Sequence, residues 1–353
     1  MASRRIHRSV LGLLAATLAL TGCAAGGGGD PSASATPEQI VLVTHDSFAL
    51  SDGILDDFTA QTGIRVQVDT VGDAGTLVNK LILTKDSPLG DVVFGVDNTF
   101  ASRVASVLEP YVSSAADTGE YQLPAASGGS VLTPIDTGDV CVNVDHRWFA
   151  AHGIPEPTSL DDLADPAYKG LLVVEAANTS SPGLAFLLAT IAAKGDGWQD
   201  YWRALVANDV EVAASWDDAY YADYSGPSSD GDRPLVVSYG TDPAYEISDA
   251  SATQPTGILA DTCFRQVEYA GVIAGTRYPD AAKQLVDFLL SPEVQADLPG
   301  SMYVYPVVAG TPLPDTWTAV GRPDAAEELT LDPATIDANR EQWIDEWAAI
   351  AQS

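Results

Sequence analysis

The chain has 353 residues, 46% of them hydrophobic, and carries 49 acidic side chains against 17 basic ones, a net charge of −32. Such a length holds two domains of ordinary size even after a leader is removed. So acidic a balance makes nucleic acid and anionic lipid surfaces poor partners. A cationic small ligand would be drawn to it, although a solubilising acidic surface accounts for the charge equally well.

Arg4, Arg5 and Arg8 precede the apolar run 9-SVLGLLAATLALTG-22, which has signal-peptide length and is short for a membrane span. The run ends in Leu20-Thr21-Gly22-Cys23, which resembles the bacterial lipobox, whose cysteine is acylated and becomes the first residue. An ordinary secretory signal with a chance cysteine is the alternative. Residues 24–37 are rich in Gly, Ala, Ser and Pro and read as a flexible tether. The expected order is therefore a lipoprotein signal peptide (1–22) and a leash (23–37). The mature chain is expected on the outer face of the cell membrane, held by lipid on Cys23. Loss of the three leader arginines takes the net charge from −32 to −35.

From Ile40 strands alternate with helices. Residues 40–45 and 64–70 read as strands, 52–63 as a helix stopped by Gly63, 74–88 as a second amphipathic helix and 91–97 as a strand buried on both faces. This βαβαβ run predicts a parallel sheet. A long β-rich stretch follows at 131–145, then a helix start at 159–170 and a strand at 171–176. Ser-Pro-Gly leads into a helix over 179–195, followed by a helix at 197–208, strands at 209–214 and 234–240, and the apolar run 263–276. The alternation restarts near residue 140. Two α/β lobes joined by β-strand crossovers, with a ligand cleft between them, are the natural solution. Lobe 1 is expected from 38–135 plus 265–353, and lobe 2 from 136–264. Cys141 and Cys263 lie in the apolar runs at the crossovers, an even pair in an oxidising compartment. A disulfide is expected there, with two buried thiols or one reactive thiol as the alternatives.

Catalytic signatures are scarce: no nucleophile elbow, P-loop, H-E-x-x-H or paired C-x-x-C occurs. His146 and His152 fall in a stretch read as loop and helix surface, so no metal site and no cofactor are expected. Aromatic residues are what cluster. Trp216 sits in 214-ASWDDAYYADYSGP-227, Tyr239 and Tyr245 in 237-VSYGTDPAY-245, and Tyr303 in 303-YVYPV-307. Core packing is the ordinary fate of an aromatic side chain. Trp216, Tyr239 and Tyr245 stand instead among Ser, Thr, Gly and Asp at strand tips. Flat walls with nearby carboxylates suit a planar or cationic heteroaromatic ligand.

The pieces 43-VTHDSF-48, 91-DVVFGVDN-98, 179-TSSPGLAF-186, 214-ASWDDAY-220, 237-VSYGTDPAY-245 and 303-YVYPV-307 occur in the order, and with the flanks, of the thiamine-binding periplasmic proteins of ABC importers. The tail 336-IDANREQWIDEWAAI-350 resembles that family's closing helix. The resemblance runs from about Val41 to Ile350. It implies a type II two-lobed solute-binding protein, a monomer and not an enzyme, that closes on thiamine or its phosphate esters and docks on an ABC permease. By the same resemblance, Trp216, Tyr239, Tyr245 and Tyr303 would hold the rings. His45, Asp46, Ser47, Asp97 and Asn98 would supply the strand-tip polar groups. Thr179, Ser180 and Gly183 would offer backbone N–H groups to a phosphate or hydroxyl. Two positions depart from the family: His45 stands where a tyrosine is common and Tyr303 where a tryptophan is. A protonated His45 would repel a thiazolium cation.

Two rivals share the fold. Tyr220-Tyr221 with His45 could imitate the site of ferric-binding proteins, since hard Fe³⁺ suits phenolate oxygen. Cys141 could serve as the nucleophile of a thiaminase-like enzyme, although no matched general base is visible.

Overall fold

The computed structural model describes residues 36–247, 253–320, 322 and 329–352. The leader, Cys23 and most of the tether lie outside the described residues. In chain order the elements are β1 (Gln39–Thr44), α1 (Ile54–Thr62), β2 (Arg65–Thr70), α2 (Ala74–Leu83), β3 (Val92–Asp97), α3 (Ala101–Val104), β4 (Thr133–Asp145) and α4 (His146–His152). Then come β5 (Leu172–Glu175), α5 (Ser181–Lys194), α6 (Trp198–Ala207), β6 (Glu211–Ala213), a π-helical turn (Asp218–Asp223), β7 (Leu235–Tyr239) and α7 (Asp242–Tyr245). The chain continues through β8 (Thr256–Val272), α8 (Pro279–Phe288), α9 (Pro292–Ser301), β9 (Tyr305–Pro306), α10 (Asp315–Val320) and α11 (Pro333–Ala351).

β1, β2 and β3 pair in parallel, as the first alternation predicts, and β5, β6 and β7 form a second parallel set. β3 is buried at every position and β1 at most, which is why both read as continuous apolar runs. The two long strands tie the sets together. β4 and β8 pair with each other antiparallel along almost their whole length. Residues 140–144 of β4 also pair with β7, whereas residues 268–272 of β8 pair with β3. The hydrogen-bonded ladder is therefore continuous, β2-β1-β3-β8-β4-β7-β5-β6, rather than two separate sheets. The continuity arises because the crossovers are themselves a strand pair.

A register shift between Val140 and Val142 marks where that pair bends. Cys141 and Cys263 are bonded there, with Cα atoms 4.2 Å apart and both side chains fully buried. The helix expected from residue 159 is instead two short 3₁₀ turns, Asp162–Ala164 and Pro166–Tyr168. Pro166 holds Asp165 extended and stops any helix from running through. At the C-terminus α11 lies on α6, with the buried Trp347 edge-on to Trp202 at 5.6 Å.

Candidate functional site

A cavity of about 450 Å³ opens where the parallel strands end. After β1 its wall is His45, Asp46, Ser47 and Phe48; after β2 it is Asp73 and Ala74, where α2 starts. Ser181 and Pro182 begin α5 beyond β5. β6 leads into Trp216, Asp217, Tyr220 and Tyr221, and β7 into Tyr239, Asp242 and Tyr245. Glu268 of β8 and residues 300–304 complete the lining. Ligands of open α/β sheets sit at this end, because the loops diverge there and helix starts point inward.

The aromatic wall is locked by polar contacts. Trp216 stacks on Tyr220 at 5.1 Å and meets Tyr221 and Tyr239 edge-on. Its indole Nε1–H donates to Ser238 Oγ at 2.7 Å, and the Ser238 hydroxyl donates on to Asp242. Asp242 also accepts from the Tyr239 amide at 2.9 Å, and the Tyr239 hydroxyl accepts from Gln266 at 3.0 Å. Opposite, Tyr245 and Tyr303 meet edge to face at 4.9 Å. Tyr303 has a φ of 56°, a left-handed conformation that costs a residue other than glycine free energy. The Thr241 hydroxyl holds it by donating to the Tyr303 carbonyl.

The electrostatics are one-sided. Five carboxyl groups line the cavity (Asp46, Asp73, Asp217, Asp242 and Glu268), and among the described lining residues there is no lysine or arginine. Burial pushes Asp73 up to about 6 and Asp242 to about 7. Behind Glu268, Asp136 is pushed up to about 7 by burial, and Glu268 itself lies well above the carboxylate range through burial and the charge of Asp136. No hydrogen-bond partner is found for either Asp136 oxygen, and burial together with the neighbouring Glu268 carboxyl favours the protonated form of the pair. Burial lowers His45 to about 4, so the imidazole is neutral. Its Nε2 stands 3.5 Å from Glu268, longer than a hydrogen bond. The repulsive charge feared at this position does not arise at neutral pH.

Residues 88–319 match the family of bacterial extracellular solute-binding proteins. The chain belongs to that family. Among its relatives is a thiamine-binding periplasmic protein of Salmonella typhimurium, 27% identical over 87% of this chain and 92% of that one. A solved periplasmic thiamin binding protein superposes with a TM-score of 0.74 at 25% identity, over 89% of this chain and 96% of the other. A ferric binding protein from Campylobacter jejuni shares the fold at TM-score 0.66 and 17% identity, over 88% and 99% of the two chains. The architecture of this solute-binding protein is the two-lobed type II α/β arrangement.

Of the residues singled out from the sequence, His45, Asp46, Ser47, Trp216, Tyr239, Tyr245 and Tyr303 come together in the solute-binding protein's cavity. Five others do not line it. Asp97 is buried beneath and accepts from the hydroxyl of Ser181, which does line it. Asn98 pins β8 to the end of β3, accepting from the Val267 amide at 2.9 Å and donating to the Arg265 carbonyl at 3.2 Å. The amides of Thr179 and Ser180 donate to the Ala176 carbonyl and are not offered to a ligand. The Ser180 hydroxyl stands beside Asp73 without a well-formed hydrogen bond. Gly183 lets α5 lie against β5, since a Cβ there would stand 2.5 Å from the Glu175 carbonyl oxygen.

The sequence reading missed Asp73, Asp217, Asp242 and Glu268, isolated acids in a chain rich in acids. Neither rival gains from the geometry. The Tyr220 hydroxyl is committed to Glu246 at 2.9 Å, and its ring is nearly perpendicular to that of Tyr221, so the two phenols do not converge. Cys141, bonded to Cys263, is no nucleophile.

Proposed function

We propose that this solute-binding protein captures thiamine outside the cytoplasmic membrane and delivers it to an ABC permease. One observation carries the reading: a cavity walled by Trp216 and tyrosines, ringed by five carboxyl groups and without a basic side chain among its described lining residues. Thiamine is a cation with two flat heteroaromatic rings joined by a methylene bridge. Stacking and cation–π attraction serve the rings at about 0.5–2 kcal/mol each, and the carboxylates serve the charge. The names of the relatives support the same ligand.

The cleft lies between a lobe of residues 38–135 plus 265–353 and a lobe of 136–264. In support, β4 acquires β7 as a neighbour at Val140 and β8 acquires β3 at Glu268. Acyl chains on Cys23 hold the monomer to the outer face of the membrane. Replacing Cys23 by serine should release the protein from membranes, read by fractionation. Calorimetric titration of the Cys23-free chain with thiamine should give saturable binding with a change in tryptophan fluorescence. A flat titration up to millimolar thiamine would overturn the reading.

A further inference from the structure

Trp216 stands half-buried on the short link between β6 and the π-helical turn, and two elements distant in sequence pin it. Its amide donates to Asp73 Oδ2 at the start of α2, at 3.1 Å. Its indole Nε1–H donates to the Oγ of Ser238 in β7, at 2.7 Å. Ser238 is fully buried and is not among the residues that line the cavity. The direction of this second bond is fixed by what lies behind it. Asp242 Oδ2 accepts the Tyr239 N–H at 2.9 Å, and the same oxygen accepts from the Ser238 hydroxyl. A serine hydroxyl has one proton. With that proton given to Asp242, only lone pairs face the indole, which can only donate. The platform beneath is braced: in the ladder Ser238 lies opposite Cys141 of β4, which is bonded to Cys263 of β8.

We infer that Ser238 is a positioning residue for the ligand: through the indole N–H it holds the ring of Trp216 in its binding orientation before thiamine arrives. The inference rests on the thiamine reading. Tyr220 is stacked on Trp216 with the ring planes 18° apart, so one face of the indole is covered. The other face is the one a flat cation can use. Its negative π cloud attracts such a cation, whereas the N–H edge would repel it. Ser238 turns that edge into the wall. An indole without this anchor would have to give up rotamer freedom on binding, at a cost in affinity that a pre-set ring avoids.

The test is a double-mutant cycle, with thiamine affinity measured by calorimetry for the wild type, Ser238→Ala, Trp216→Phe and the double variant. Phenylalanine keeps a flat ring but has no N–H for Ser238 to hold. Ser238→Ala should weaken thiamine binding about fivefold where Trp216 is present, and by less than about twofold in the Trp216→Phe background. Equal losses in the two backgrounds would mean that Ser238 serves the fold or Asp242 rather than the indole, and that result overturns the inference. So does an unchanged affinity with Trp216 in place. Proton exchange in the wild type gives a second reading that needs no Ser238 variant. The Trp216 indole proton, assigned by its absence from the NMR spectrum of Trp216→Phe, should exchange with solvent at least about tenfold more slowly than that of a free indole. Exchange at the free rate overturns the inference even where Ser238→Ala fails to fold. A wild type that binds no thiamine strikes the thiamine reading itself, and this inference falls with it.

Discussion

Trp216 does two jobs at once: it forms a wall of the cavity and covers the ring of Tyr220. Trp216→Ala should weaken thiamine binding by about 1–3 kcal/mol, from lost burial and lost cation–π attraction. Calorimetry on the folded fraction, with melting of the same sample, separates the two jobs. A lowered melting temperature with unchanged affinity would mean that the indole only packs. The sequence announced Trp216, Tyr239 and Tyr245 because large rings among small polar residues at strand tips are out of place on an apolar face, and Tyr303 through the family resemblance. It could not announce Asp73 or Glu268 in the same way. One carboxylate among 49 acidic side chains carries no local signal, and burial depends on elements far away in sequence. Asp97 illustrates the converse. Its position at a strand tip was visible, but that Ser181 would cap it from the far side of the cleft was not.

At the level of elements, the start of α2 meets the loop before α5 so closely that Gly75 has no room for a side chain. A Cβ there would stand 2.8 Å from both the carbonyl carbon and the oxygen of Thr179. Gly75→Ala should leave the melting temperature nearly unchanged and cost about 1–3 kcal/mol of ligand affinity, because overpacking at this contact resists closure. Small-angle scattering of the thiamine-saturated variant should show a larger radius of gyration than the saturated wild type. Identical radii and affinities would defeat the idea. Strand-helix alternation was legible through β3 because each element keeps its own period of apolar residues. The turns at 162–168 were misread as a helix because their composition is helical until Pro166 is weighed. The strand pair of β4 and β8 was visible only as two β-rich runs, since pairing across more than a hundred residues leaves no mark on local pattern. Its disulfide closes a loop with a sequence separation of 122 residues. Replacing both cysteines by serine should cost roughly 2–5 kcal/mol of stability by the entropy of the opened chain. Equal denaturant midpoints for the oxidised wild type and the double variant would contradict that.

For the molecule as a whole, the buried acids set opposite pH trends for folding and for binding. Asp73, Asp136 and Asp242 keep their protons to about 6, 7 and 7, whereas unfolded carboxyls release theirs near 4. Between those values the folded chain holds more protons than the unfolded one, so stability falls as pH rises. Raised Asp97, Glu175 and Glu268 act in the same direction, and the net charge of −32 adds self-repulsion. A cation binds the ionised carboxyls, so its affinity should rise over the same window. The ligand-free chain should melt higher at pH 5 than at pH 8, and the increment given by thiamine should be larger at pH 8. Increments that are equal at the two pH values would show that the buried acids do not meet the ligand. The bridge between Cys141 and Cys263 also imposes an order on manufacture. A chain that emerges from its N-terminus presents the Cys141 thiol 122 residues before its proper partner. Until Cys263 follows, the other cysteine available to Cys141 within the chain is Cys23. Lipid attached to Cys23 would take that wrong partner out of play before an oxidant could join the two.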